Sequence, residues 1–197
     1  QHKVKKIVKS PKYSSRGNDI SYLVLSEPLD LPADAYVPVL TDKDEIAELN
    51  AIGAKAQIVG FGLRNGNGFG LKYEVTTTVV KSLSSGLGYD SASEIAIGGG
   101  GKDSCNGDSG GPVYGQLANG EWRVYGVTSR GGSCGTGGIY GLMHANICWV
   151  QSDSGEDLGL PAGVCGDAPT TPTNPTEPTQ PSQPTQPSQP SQPSVPG

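Results

Sequence analysis

"KDSCNGDSGGPVYG" occupies residues 102–115. A helix through it would carry Gly107, Gly110, Gly111, Gly115 and Pro112, all poor helix formers. A strand fares little better, because Asn, Asp, Ser and Gly favour turns. The stretch therefore reads as a tight turn that presents Asp108 and Ser109. Glycines let such a turn close.

On either side the chain is rich in short β-type runs. Val, Ile, Thr and Tyr recur in "VKKIV" 4–8, "ISYLVL" 20–25, "AQIVGFG" 56–62 and "YEVTTTVV" 73–80. They return in "EIAIG" 94–98, "VYG" 113–115, "WRVYGVTS" 122–129 and "GIYGLM" 138–143. "NGNG" 65–68 and Asn119-Gly120 are hairpin signals. Only "TDKDEIAEL" 41–49 and "HANICWVQ" 144–151 have room for helices, both short. Many short strands between Gly-rich turns predict an all-β barrel or sandwich.

Composition bounds the function. The 197 residues carry 30 glycines, 16 prolines and a net charge of −5, which suits one Gly-rich globular domain and argues against a nucleic-acid groove. The basic run from Lys3 to Arg16 reads as a solvated strand face. No apolar stretch approaches the ~20 residues of a membrane span. From Pro169 to Pro196 a proline stands at every third position, nearly always before Thr or Ser. That period matches polyproline II, with almost nothing apolar to bury. Residues 167–197 are thus expected to be a disordered, semi-rigid linker, and residues 1–166 the folded domain.

Cys105, Cys134, Cys148 and Cys165 show neither zinc-knuckle nor CxxC spacing. Their even number, beside a Ser/Thr-Pro tail, predicts two disulfides in an oxidising compartment. Three pairings are open on sequence grounds.

"CNGDSGGP" resembles the nucleophile loop of the trypsin/chymotrypsin family of serine endopeptidases. "GNDISYLVL" 17–25 is similar to that family's entry to the strand after the catalytic Asp. "IVGFG" 58–62 resembles the strand entering its second barrel, and "GVTSRGGSCGTGGIYGL" 126–142 its pocket strand and return. "NICWV" 146–150 resembles the start of the terminal helix, so the likeness runs over about residues 4–152. It implies two six-stranded antiparallel β-barrels, the first incomplete in this chain, and a short C-terminal helix. It also implies a secreted zymogen, working as a monomer without cofactor or metal on protein or peptide substrates, with protein inhibitors as further partners. The tail is then expected to serve as a surface tether.

The resemblance assigns roles residue by residue. Ser109 is the nucleophile, Asp19 the triad carboxylate, and the N–H groups of Gly107 and Ser109 the oxyanion hole. In that family Ser, His and Asp act together, the imidazole taking the serine's proton while the carboxylate orients the imidazole. Asp108 is expected to turn inward and pair with the N-terminal ammonium released on activation. Asp103 is expected at the base of a slot walled by Gly131 and Gly138, with Ser104 beside it, selecting Arg or Lys before the scissile bond. Ser129 lines the substrate strand. Arg130 replaces the family's usual Trp and is expected to favour acidic residues further along the substrate. Cys105–Cys134 matches the bridge across the pocket walls, leaving Cys148 to Cys165.

One member of the triad has no match. The family's histidine precedes the Asp, in an Ala-Ala-His-Cys context, whereas the chain has only His2 and His144. His2 is too close to Asp19, and His144 is expected at the surface. The chain opens at Gln1, and Met143 is its only methionine, so a segment carrying the base is expected upstream. Without that base only the residual part of triad catalysis would survive. Two other readings remain, an inactive homologue acting as a binding module and an adhesive domain on a proline stalk.

Overall fold

A computed structural model describes residues 2–64 and 68–166 of the chain. The proline tail and most of "NGNG" 65–68 lie outside the described residues. Each β-type run forms a strand: β1 (Val4–Lys9), β2 (Ser21–Leu25), β3 (Lys55–Gly60), β4 (Tyr73–Thr78), β5 (Glu94–Ile97), β6 (Pro112–Gln116), β7 (Trp122–Gly131) and β8 (Gly138–Leu142). Among the described residues the α-helices are α1 (Lys43–Leu49) and α2 (Ile147–Ser154).

Six strands form an antiparallel sheet in the order β4-β3-β6-β7-β8-β5. Its edges meet where Val79, just past β4, bridges Ile97 at the end of β5. Val80 N–H to Ala96 O and Gly98 N–H to Thr78 O, both 2.9 Å, close the ring. Closure removes the unpaired edges that an open sheet would present. Ile58, Val79, Ile95, Ile97, Val113, Tyr125, Tyr140 and Leu142 fill its core. β5 and β8 are buried throughout, because Leu83, Ala96 and Ile139 pack together as a second small core. That double burial explains why "EIAIG" lacks a polar face.

α1 starts where Asp42 accepts from the N–H groups of Asp44 (2.8 Å) and Glu45 (3.1 Å). Leu49 is the helix's buried anchor, and Glu45 takes a two-point bond from Arg123 of β7 at 2.8 and 2.6 Å. α2 begins three residues later than "HANICWVQ" predicts, because Asn146 N–H bonds Met143 O in a preceding turn. It ends at Gly155, whose left-handed backbone closes it. A 3₁₀ turn at Ala33–Ala35 has no counterpart in the sequence reading.

β1 and β2 form a separate two-stranded sheet. One face packs on α2, with Tyr22 5.5 Å from Trp149 and its hydroxyl bonded to Asp153. On the other face the paired Ile7 and Leu23 are 72% and 55% exposed. A lone hairpin is marginal in water, so this sheet relies on its contact with α2.

The disulfides are Cys105–Cys134 and Cys148–Cys165. Each closes a loop worth about 3 kcal/mol in the chain-entropy account.

His144, expected at the surface, is half-buried there, and its Nδ1 is enclosed without a partner among the described residues. Burial lowers its pKa below the usual 6.5. The native state therefore disfavours the proton that the unfolded chain accepts. Its contribution to stability is complete above about pH 6.5 and is lost as pH falls through the depressed native value. His144→Gln is expected to flatten the melting temperature's decline over that acid range. Parallel curves for parent and variant would refute the effect.

Candidate active site

Asp19 is placed by the turn that precedes β2. Asn18, at φ 57°, takes the left-handed conformation that Asn tolerates. The chain then lies across β8, with Ile20 and Asp19 O so close to Gly141 that no side chain fits there. Gly141 pairs with Val127, two residues before Ser129. As a result Ser129 Oγ donates to Asp19 Oδ2 at 2.8 Å. Oδ1 accepts no hydrogen bond among the described residues.

Ser109 sits on the far side of the same strand. Gly110 N–H donates to Thr128 O and Thr128 N–H to Gly111 O, both at 2.9 Å, so the turn that carries Ser109 is laced to β7. Within it Asp108 N–H bonds Cys105 O at 3.1 Å and Gly111 N–H bonds Asp108 O at 2.8 Å. The N–H groups of Gly107 and Ser109 have no acceptor among the described residues. Gly107, at φ 95°, holds a conformation that glycine adopts readily. Ser109 itself is exposed.

Asp108 turns inward. Its Oδ1 accepts from Gly62 N–H at 2.7 Å and its Oδ2 from Cys105 N–H at 2.8 Å. It faces a cavity of about 510 Å³ whose lining includes Ile58, Gly60, Gly62, Val75 and Asp103.

Asp103 is half-buried, and backbone holds both its oxygens: Gly135 N–H at 2.6 Å and Gly137 N–H at 2.7 Å. Gly131 and Gly138 face each other across β7 and β8. Neither is among the residues lining the cavity that Asp103 and Asp108 border. Beside Asp103, Ser104 Oγ lies 2.9 Å from Tyr140 Oη. Burial pushes the Tyr140 hydroxyl up to about 12, so it keeps its proton at neutral pH.

Arg130 departs from the reading that gave it to substrate. Its Nη1 donates to Glu94 Oε1 at 2.5 Å and its Nη2 to Glu94 Oε2 at 2.9 Å. Glu94, on β5, is wholly buried and was missed as a site residue. A carboxylate within an otherwise apolar strand was its one visible signal. Neither His2 nor His144 bonds Asp19 or Ser109 among the described residues. No group of three or more His, Cys, Asp or Glu among those residues is placed to hold a metal ion. None of their helices is long and apolar enough to cross a membrane.

Comparison with known proteins gives this geometry its context. The Trypsin family profile matches residues 1–148. The chain is 28% identical over 166 residues to CLIP domain-containing serine protease B4 of Anopheles gambiae, covering 76% of this chain and 46% of that protein. It is 30% identical over 171 residues to Vitamin K-dependent protein C of Mus musculus, covering 78% and 37%. A shorter match to Phenoloxidase-activating factor 3 of Holotrichia diomphalia is 43% identical over 58 residues, covering 27% and 16%. The chain thus spans less than half the length of each of these relatives. With a family match over three quarters of its length and an antiparallel barrel beneath it, the chain belongs to the trypsin family of serine proteases.

Proposed function

We propose that this chain carries the nucleophile, triad carboxylate and primary pocket of a secreted endopeptidase that cleaves after Arg or Lys. The observation that carries the proposal is the pair of unengaged N–H groups, Gly107 and Ser109, on the turn that exposes Ser109. Two such donors are what a developing oxyanion requires.

In this reading Ser109 Oγ attacks the substrate carbonyl carbon while an imidazole takes its proton. The carbonyl oxygen becomes negative and is held by the two N–H groups. The intermediate collapses, the C–N bond breaks, and the imidazolium protonates the departing amine. Water then attacks the acyl-serine by the same route and releases the acid.

The imidazole is assigned to a segment preceding Gln1. Two features support that assignment. Asp19 is anchored through Oδ2, leaving Oδ1 to accept an imidazole N–H. The bare Ile7–Leu23 face of the β1–β2 sheet has the apolar character of a barrel interior. Asp108, with its cavity beside Gly60, is assigned to the N-terminal ammonium formed on activation. Asp103 is assigned to the substrate cation, which would add to the two backbone bonds already holding the carboxylate. The disulfides support residence in an oxidising compartment, and the tail would serve as spacer or tether.

The test is to activate the full-length protein and treat it with diisopropyl fluorophosphate. Mass spectrometry should find the adduct on Ser109, and a peptide library should be cut after Arg and Lys. Failure to label Ser109 in the folded protein would refute the catalytic reading in favour of a binding module.

A further inference from the structure

β7 carries a bulge next to the triad carboxylate. Thr128 pairs with Tyr140 and Arg130 with Ile139, so two steps on β7 oppose one on β8, and Ser129 is the extra residue. In a regular strand the side chains of residues 129 and 130 would point to opposite faces. The bulge re-aims them, and Arg130 Nη1 comes within 3.3 Å of Ser129 Oγ.

The donors can be counted. Arg130 Nη1 gives one hydrogen to Glu94 Oε1 and the other to Ser129 Oγ. Nη2 gives one to Glu94 Oε2 and the other to Gly88 O, at 3.3 Å. A guanidinium cannot accept a hydrogen bond. Ser129 Oγ is therefore the acceptor towards Arg130, and its single proton is left for Asp19 Oδ2, 2.8 Å away. Glu94 has a second task. It is buried and bonded to both Nη atoms, and its Oε2 also accepts from Asp90 N–H at 3.2 Å. A guanidinium without that partner would be drawn to the Asp19 carboxylate and would cancel the charge a catalytic imidazolium needs.

We propose that Arg130, held from behind by Glu94, is a positioning residue that fixes the Ser129 hydroxyl as a donor to Asp19. The proposal rests on the protease reading for its effect on rate, but not for its effect on Ser129.

The test removes the pair together, since stripping Arg130 alone leaves the buried Glu94 carboxylate unpaired. Glu94→Gln with Arg130→Met is made in the activated full-length protein, in Ser129 and Ser129→Ala backgrounds. With Ser129 present, kcat on an Arg substrate should fall about tenfold or more, with KM held within about twofold. In the Ser129→Ala background the same replacement should change kcat by less than about twofold, because the relay is already gone. Three-bond NMR couplings should show one Ser129 χ1 rotamer in the parent and averaged rotamers after the replacement. Equal losses of kcat in both backgrounds would overturn the proposal, as would an unchanged single rotamer. Should the parent fail to acylate, the protease reading falls, and the couplings alone decide the relay.

Discussion

Ser109→Ala is expected to abolish peptide hydrolysis by the activated full-length protein, lowering kcat about 10⁶-fold, the scale seen when a triad serine is removed. The fold should be indifferent to the change. Ser109 is exposed, its hydroxyl bonds nothing among the described residues, and the turn around it is held by backbone. Surface substitutions of this kind usually move stability by less than about 0.5 kcal/mol. The variant should therefore melt with the parent and still bind an Arg-containing inhibitor, since Asp103 is untouched. The residual rate would measure what the Gly107 and Ser109 N–H groups and substrate binding contribute alone. If the variant kept more than about a thousandth of parental kcat, Ser109 would not be the nucleophile.

The turn to which that role is assigned was legible from the sequence because it is local. The exposed Ser109, the inward Asp108 and the two unengaged N–H groups fall within three consecutive residues, Gly107 to Ser109. The strands were legible for a similar reason, since β-branched runs between turn residues mark them one at a time. The closure between Val79 and Ile97 was not, because no periodicity tells which two edges meet. Arg130 shows the limit most clearly. Its charge was visible, but its partner Glu94 lies 36 residues away, on a strand that otherwise reads as core. With that contact unseen, the guanidinium looked free to meet substrate. The bulge at Ser129 was equally hidden, since it depends on the pairing of β7 with β8 and not on β7 alone. The late start of α2 has a smaller cause, a turn at Met143–Asn146 that helix propensity does not reveal.

Asp103→Ser is expected to lower kcat/KM on Arg and Lys substrates by about 10²–10⁴-fold, the equivalent of the ~3–5 kcal/mol lost when one partner of a buried ion pair is removed. The carboxylate has two tasks in the structure. It bears the charge, and its oxygens anchor the backbone of Gly135 and Gly137. Serine removes both, so a loosened wall could imitate a loss of charge recognition. Asp103→Asn separates them. The amide keeps one acceptor for the Gly135–Gly137 turn and has no charge. Both variants should lose preference for Arg and Lys to a similar degree if charge sets specificity. If anchoring dominates, Asn should retain most of the activity that Ser loses. Acylation of Ser109 by a small neutral ester should survive in both variants, because the nucleophile turn is tied to Thr128 and not to Asp103. With the charge gone, slow cleavage after large apolar residues should emerge. Should both variants still strongly prefer Arg and Lys, Asp103 would be a structural acid bonded to its loop. Specificity would then lie elsewhere on a protease fold that the Gly107–Ser109 turn would still define.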